Sequence, residues 1–160
     1  DISVRLGALE DVGRSESAEL GLRVFDGKRS ASVSPSDLSD GALAALVDRA
    51  IAMAREAPED AWAGLATAER LMHGTPPLLD IDDLAQGGSE PSPEALRDAA
   101  LAAEDAARAV AGVTNSEGGS ASASRSIWAL ATSHGFAAAY AATGYGLSAS
   151  VLAGEGGAMP

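Results

Sequence analysis

The chain has no cysteine, so it can form neither a disulfide nor a thiolate metal site. That absence suits a reducing compartment, and a cytoplasmic protein is expected. Aromatic residues make up only 4% of the chain while alanine is abundant, so the core is expected to be built from small side chains. Positive charge is scarce: 11 Lys and Arg stand against 23 Asp and Glu, a net charge of -12. Such a surface repels phosphate backbones, which excludes direct nucleic-acid binding. The same repulsion argues against an anionic membrane surface. The longest uncharged run, Ser126 to Gly154, has the length to span a bilayer, but its serines, threonines, glycines and His134 argue against that. No charged-then-apolar leader opens the chain. Asp1 falls directly into an alternating pattern without an initiator Met, and Pro160 follows no closing element, which reads as a segment of a longer protein. At 160 residues, the segment fits a single domain spanning 1–160.

What is present is punctuated by turn signals. Ile2, Val4 and Leu6 alternate with Ser3 and Arg5, predicting a half-buried strand that continues irregularly through the polar Gly7 to Ser17. Leu20, Leu22 and Val24 alternate again, and Asp26-Gly27 predicts a two-residue type I′ hairpin turn. That turn pairs Phe25 with Lys28, Leu22 with Ala31 and Leu20 with Val33. Ser39 is a good N-cap with Asp40 behind it. Leu43, Leu46, Val47, Ala50, Ile51 and Ala54 then recur at helical spacing until Pro58 stops the helix. Glu59 to Pro91 is irregular, with room for a short helix around Ala63 to Leu71; it is either a surface excursion or a partner-binding segment.

Ser92-Pro93-Glu94 is a clear helix start. Leu96, Ala100, Ala103, Ala107 and Val110 form one stripe, and Gly112 stands at a plausible C′ position. The last third, Val113 to Ala153, is broken by Ser133-His134-Gly135 and Gly144-Tyr-Gly146, predicting three or four short antiparallel strands. Both registers of Ile127 to Thr132 are apolar, which suggests a strand covered on both faces. A helix over Ala129 to Ala142 is the alternative, because alanine is the best helix former. The fold expected is α+β: an antiparallel sheet covered on one face by two main helices, in two layers.

Motifs that carry chemistry are few. Gly144-x-Gly146-x-x-Ala149 matches the dinucleotide fingerprint formally, but a strand pattern follows where a helix is needed. His73 and His134 are the only histidines and sit in unrelated contexts, so solvated loop positions are expected. Asp80, Asp82 and Asp83 could present oxygens to a divalent cation, but Leu84 stands where an EF-hand needs a ligand, and a solvated acidic loop is favoured. No Gly-x-Ser-x-Gly elbow exists. Trp62, Trp128, Phe136, Tyr140 and Tyr145 have no basic stripe among them and read as core or interface residues. No catalytic, cofactor-binding or metal-binding residue is assigned.

Four stretches, in this order and spacing, resemble the N-terminal domain of the TldD/PmbA family, its PmbA branch in particular. They are Gly7-Ala-Leu-Glu10-Asp-Val12 with Leu20-Gly-Leu-Arg23-Val; Ser36-Asp-Leu-Ser39 with Ile51-Ala-Met-Ala-Arg55; Val113-Thr-Asn-Ser-Glu117-Gly-Gly-Ser120; and Thr132-Ser-His134-Gly135-Phe136 with Tyr145-Gly-Leu-Ser148 and Glu155 to Met159. The resemblance covers essentially the whole chain. It implies a metallopeptidase of two homologous subunits that trims unfolded or leader peptides, also called a modulator of DNA gyrase. The TldD-like subunit carries a His-Glu-x-x-x-His helix and binds zinc; the PmbA-like subunit lacks those ligands. This sequence has no such motif, and the resemblance places the catalytic or pseudo-catalytic domain beyond Pro160.

No cofactor is therefore expected in this segment, with zinc on the TldD-like subunit. The partners implied are that subunit, as a heterodimer, or a second copy, together with an extended peptide substrate. The expected role is a chamber wall, with Gly119 to Ala123 and Leu147 to Ala153 as strands that could pair with peptide at an exposed edge. The competing reading is a non-enzymatic acidic adaptor acting through Glu59 to Pro91, gyrase modulation through protein contacts included.

Overall fold

The computed structural model describes residues 1–154; the Glu155 to Met159 stretch lies outside them. Six strands and two helices give an α+β fold, with the strands antiparallel as expected. The strands fall into two sheets in two compact units, one formed by residues 1–15 with the described residues from 74 onward and the other by residues 16–73. Each main helix lies on the sheet of its own unit.

The smaller unit holds strands β3 (Leu22–Asp26) and β4 (Arg29–Val33) and helix α1 (Asp40–Glu56). The hairpin register is Leu22 with Val33, Val24 with Ala31 and Asp26 with Arg29, two residues off the expected pairing. Gly27 takes the first central position of the turn at φ +61, and Lys28 stays out of the left-handed region, so the turn is of the II′ kind and not I′. A shift of two keeps every side chain on its face, so apolar residues still oppose apolar ones. On α1, Leu46, Ala50 and Ala54 are buried as the helical spacing predicts, while Val47 stays exposed. Ser39 is the N-cap by position, but its hydroxyl donates to Asp37 (3.0 Å) and does not cap the helix. The other end is capped from the sheet: the Arg29 guanidinium donates to the carbonyls of Arg55 (3.1 Å) and Ala57 (2.9 Å), placing a cation at the negative end of the helix dipole. Of the helix expected around Ala63 to Leu71, only a single 3-10 turn, Ala68–Arg70, forms.

The larger unit is a four-stranded sheet in the order β2 (Ala8–Val12), β1 (Ile2–Arg5), β5 (Val113–Ala131), β6 (Ala137–Ala153), with helix α2 (Pro93–Arg108) on it. Strand β1 is Ile2–Arg5, and Leu6-Gly7 turns it back into β2 (Ala8–Val12), a hairpin whose register shifts by one residue between Ser3 and Val4, so the chain continues past Gly7 as an irregular strand. Leu6 therefore does not end the strand: it sits at φ +52, with Gly7 at φ +79. Ser92 caps α2 as predicted, accepting from the Ala95 N–H (3.2 Å), with Pro93 at the first position. The helix ends at Arg108, so Gly112 (φ +92) belongs to the turn that leads into β5 and not to the cap.

The last third forms two long strands, β5 (Val113–Ala131) and β6 (Ala137–Ala153), in place of three or four short ones. They pair along their whole length around one turn, Thr132 to Phe136, closed by the Thr132 N–H to Phe136 carbonyl bond (2.8 Å). Gly144-Tyr-Gly146 is not a turn but lies inside β6. The core is small: Ile2, Val4, Ala100 and Ala121 are buried, with Leu96, Ala99 and Leu101 packed around them. Gly119 shows why the sheet and helix lie so close. A Cβ there would stand 2.5 Å from the Ala100 carbonyl oxygen and 3.2 Å from the Glu104 Cβ. The expected small-residue core is thus real, but it covers only the base of the hairpin. Ile127, Trp128 and Leu130 are all more than 60% exposed, so the strand is not covered on both faces.

Candidate functional site

Three features of the larger unit concentrate its polar chemistry. The first is Glu104, fully buried on the inner face of α2. Its carboxylate accepts from the backbone N–H groups of Leu6 (2.8 Å) and Gly7 (3.0 Å) and from the Ser116 hydroxyl (2.5 Å). The Ser116 hydroxyl in turn accepts from the Gly118 N–H (3.0 Å). Donation from Ser116, then from the Gly7 and Leu6 amides, holds the carboxyl below its ordinary range against the opposing cost of burial. One ionised side chain thereby ties α2, the β1–β2 turn and β5 together. It also holds Leu6 in a left-handed conformation that a non-glycine residue rarely takes. Glu104 follows Ala100 by four residues and precedes Ala107 by three, so helical spacing puts it on the apolar stripe. An acid at that spacing demands a partner, and that was the available signal.

The second feature is Asp82, also buried. Arg125 of β5 grips it with two bonds, Nε to Oδ1 at 3.2 Å and a terminal nitrogen to Oδ2 at 2.8 Å. That bidentate contact holds the Asp82 carboxyl below its ordinary value. On either side, the Thr143 N–H donates to the Ile81 carbonyl (2.9 Å) and the Asp83 N–H donates to the Thr143 hydroxyl (3.1 Å). The part of the irregular segment around Ile81 to Asp83 is therefore clasped to β5 and β6. The three aspartates do not converge on a cation position: Asp82 faces Arg125, Asp80 accepts from the Gln86 side chain, and Asp83 starts a 3-10 turn, Asp83–Gln86.

The third feature is the outer side of β6. Backbone groups of an antiparallel strand point alternately to its two sides. Thr143 spends its N–H on Ile81, away from β5, so Tyr145, Leu147, Ala149 and Val151 turn theirs the same way. Among the described residues, no backbone group meets that edge from Tyr145 to Val151. Edge strands are ordinarily guarded by charge, proline or brevity. β6 has 17 residues and contains no charged residue and no proline. Among the described residues, the edge from Leu147 to Val151 is therefore open. Gly119 to Ala123 is not, because β5 is paired with β1 on one side and β6 on the other.

The remaining motif residues fall elsewhere. Gly144 and Gly146 face serines, not phosphates: a Cβ on Gly146 would stand 2.7 Å from the Ser122 Oγ, and one on Gly144 3.1 Å from the Ser124 Oγ. Ala149 follows on the same strand, so no helix N-terminus exists there. His73 and His134 are both exposed. Among the described residues, no group of three or more His, Asp or Glu could hold a metal ion, so the donor set of this stretch does not fit zinc. Trp62, Trp128, Tyr140 and Tyr145 are exposed and Phe136 half-buried, so these aromatics are not core residues here. A shallow cleft of about 410 Å³ between Leu6, Arg108 and Asn115 brings no reactive group together. Among the described residues, no helix is long and apolar enough to cross a membrane.

Two family models match the chain. The description PmbA/TldA metallopeptidase domain 1 covers residues 1–54, and PmbA/TldA metallopeptidase central domain covers residues 87–159. Metalloprotease PmbA of Escherichia coli O157:H7 is 35% identical over 158 residues, 99% of this chain and 34% of that protein. A metalloprotease PmbA homolog of Haemophilus influenzae is 30% identical over 161 residues, 96% of this chain and 33% of that protein. The chain spans about a third of the length of these curated relatives.

Proposed function

The chain belongs to the PmbA/TldD metallopeptidase family, and from that premise we propose that it builds the wall of a peptidase chamber and presents an extended peptide to a zinc centre carried elsewhere in the assembly. The observation that carries this reading is the edge of β6 from Leu147 to Val151, which is uncharged and, among the described residues, meets no backbone partner. Such an edge takes an extended peptide by adding it as a further strand, main chain to main chain. Recognition through the backbone tolerates many side chains, which suits a peptidase that trims unfolded or leader peptides. The clasp at Ile81 to Asp83 sets the inner limit of that track, because Thr143 already holds a backbone partner.

This stretch supplies binding and no bond-breaking step. Its two buried acids, among the described residues, are committed: Glu104 accepts three bonds in the interior and Asp82 is gripped by Arg125. Zinc belongs to a homologous subunit, where the metal would polarise the peptide carbonyl and activate water. The working assembly is a cytoplasmic pair of this chain with that subunit or with its own copy.

The test is the zinc content and peptidase activity of the full-length protein, purified alone and then mixed with a zinc-binding homologue. No zinc alone, with cleavage appearing on mixing, supports the reading. About one zinc per chain, with cleavage unaided, replaces it with a catalytic subunit. No zinc and no cleavage in any mixture moves the function to an acidic adaptor.

A further inference from the structure

Ile81 to Asp83 lies along the outer side of β6 in the manner of an added strand. The Ile81 carbonyl accepts from the Thr143 N–H (2.9 Å), and the Asp83 N–H donates to the Thr143 hydroxyl (3.1 Å). Between them Asp82 is extended, at φ -122 and ψ 95. This is a single rung of strand pairing, made by the chain's own backbone. The contact goes no further on either side. Downstream, Asp83 opens a 3-10 turn that ends at Gly87 in the left-handed region (φ +88). Upstream, Pro76 and Pro77 have no N–H to offer a sheet.

The ion pair acts at the same place. Arg125 stands directly opposite Thr143 in the β5–β6 register, and its guanidinium grips Asp82. Arg125 is the only Asp, Glu, Lys or Arg from Gly118 to Gly154. The one charge on that stretch of ribbon is therefore spent on holding this segment. The hold is modest, because one rung is a small part of a sheet and Arg125 remains 43% exposed to screening solvent. Thr143 is also the next amide inward from Tyr145 on the outer side of β6. A strand laid along Val151 to Tyr145 and continuing inward must take the place that Ile81 fills.

We infer that Ile81 to Asp83 is a strap, which occupies the inner end of the β6 edge until an extended peptide displaces it. The inference rests on the reading of β6 as a peptide track. It adds a competition for the Thr143 N–H between the chain's own backbone and the peptide. The Asp82–Arg125 pair sets how readily the strap yields. Displacement also takes the Asp83 N–H off the Thr143 hydroxyl, so a peptide that closes the edge opens the strap.

The test is hydrogen exchange of the full-length protein, with and without a capped, uncharged peptide of alternating Thr and Ser. The peptide is made long enough to run from Val151 to Thr143. Bound peptide is expected to slow exchange at Leu147, Ala149 and Val151 and to speed it at Asp83. Asp82→Asn is expected to bind the same peptide about three- to tenfold more tightly, because its strap is held by a weaker bond. Arg125→Lys keeps the charge but loses the two-bond grip, and it should fall between parent and Asp82→Asn. Slowed exchange at Leu147 to Val151 with Asp83 unchanged would overturn the strap and leave the track standing. Weaker peptide binding by Asp82→Asn would also overturn it, because the clasp would then support the track and not compete for it. No slowing at Leu147 to Val151 would remove the track, and the strap's role with it.

Discussion

The two ends of one hairpin use the same kind of sequence in opposite ways. At the base, Gly119 and Ala121 let α2 approach to contact distance, and the interior is sealed by an ionised acid with three donors. At the outer end, Ala129, Ala138 and Ala139 lie among Trp128, Leu130 and Tyr140, with no helix above them. Small residues at the base serve close packing; at the outer end they leave the large side chains proud of the sheet. The base is therefore where stability is concentrated, and the β6 edge is where, among the described residues, backbone is left for others. Substitutions that act on fold stability should separate cleanly from those that act on association.

The sharpest way to break that contrast is at Glu104. Glu104→Ala leaves the Leu6 and Gly7 amides and the Ser116 hydroxyl buried without an acceptor. At about 1 to 3 kcal/mol for each stranded group, the loss should reach at least about 3 kcal/mol in urea unfolding of the full-length protein. The pH dependence follows from the direction of the shift. The carboxyl titrates lower in the fold than its ordinary 4.5, so its stabilisation is complete above that value. It is lost progressively as pH falls through the folded value. Glu104→Gln should flatten this acid limb.

Next comes the close approach itself. Gly119→Val would drive a branched side chain into the Ala100 carbonyl and the Glu104 stem, for which no space exists. Overpacking of this kind costs about 1 to 3 kcal/mol. Ala129→Val, on the same face but beyond the helix, should change the unfolding midpoint little, by about 0.5 kcal/mol or less. Equal losses at the two positions would mean that the outer end is also packed within the chain.

Much of the architecture was legible because it rests on local signals. The Ser92-Pro93 start of α2 and the apolar spacing of α1 needed no tertiary information. The hairpin around Gly27 was placed on the right faces, but its register moved by two, because Asp-Gly specifies a turn without fixing which residue stands first. The long hairpin was misread for a physical reason: Gly144 and Gly146 look like turn punctuation, yet they are glycine because Ser124 and Ser122 occupy the space where a Cβ would go. That information belongs to the partner strand, 20 and 24 positions away, and no local pattern holds it. Likewise the roles of Glu104 and Asp82 depend on residues distant in sequence, Leu6 and Arg125 among them. Family membership, in contrast, was readable from the order of short motifs, because the sequence match runs the length of the chain.

The smallest effect expected is at the clasp, which lies between the two ends. Asp82 is almost fully buried, but its partner Arg125 is 43% exposed, so solvent screens the pair and tempers its worth. Asp82→Asn keeps the shape and one acceptor while removing the charge that faces the guanidinium. The global loss should stay near 1 kcal/mol, as for a charge-assisted bond replaced by a weaker one. Local opening should respond more than global unfolding. The Thr143 amide is protected by the Ile81 carbonyl, which the clasp holds in place, so it should exchange faster in the variant. Amides of Ala121 and Ser122, paired within the sheet, should not change. If the Thr143 amide keeps its protection, Ile81 is held without the ion pair, and the inner limit of the β6 edge is set by the backbone alone.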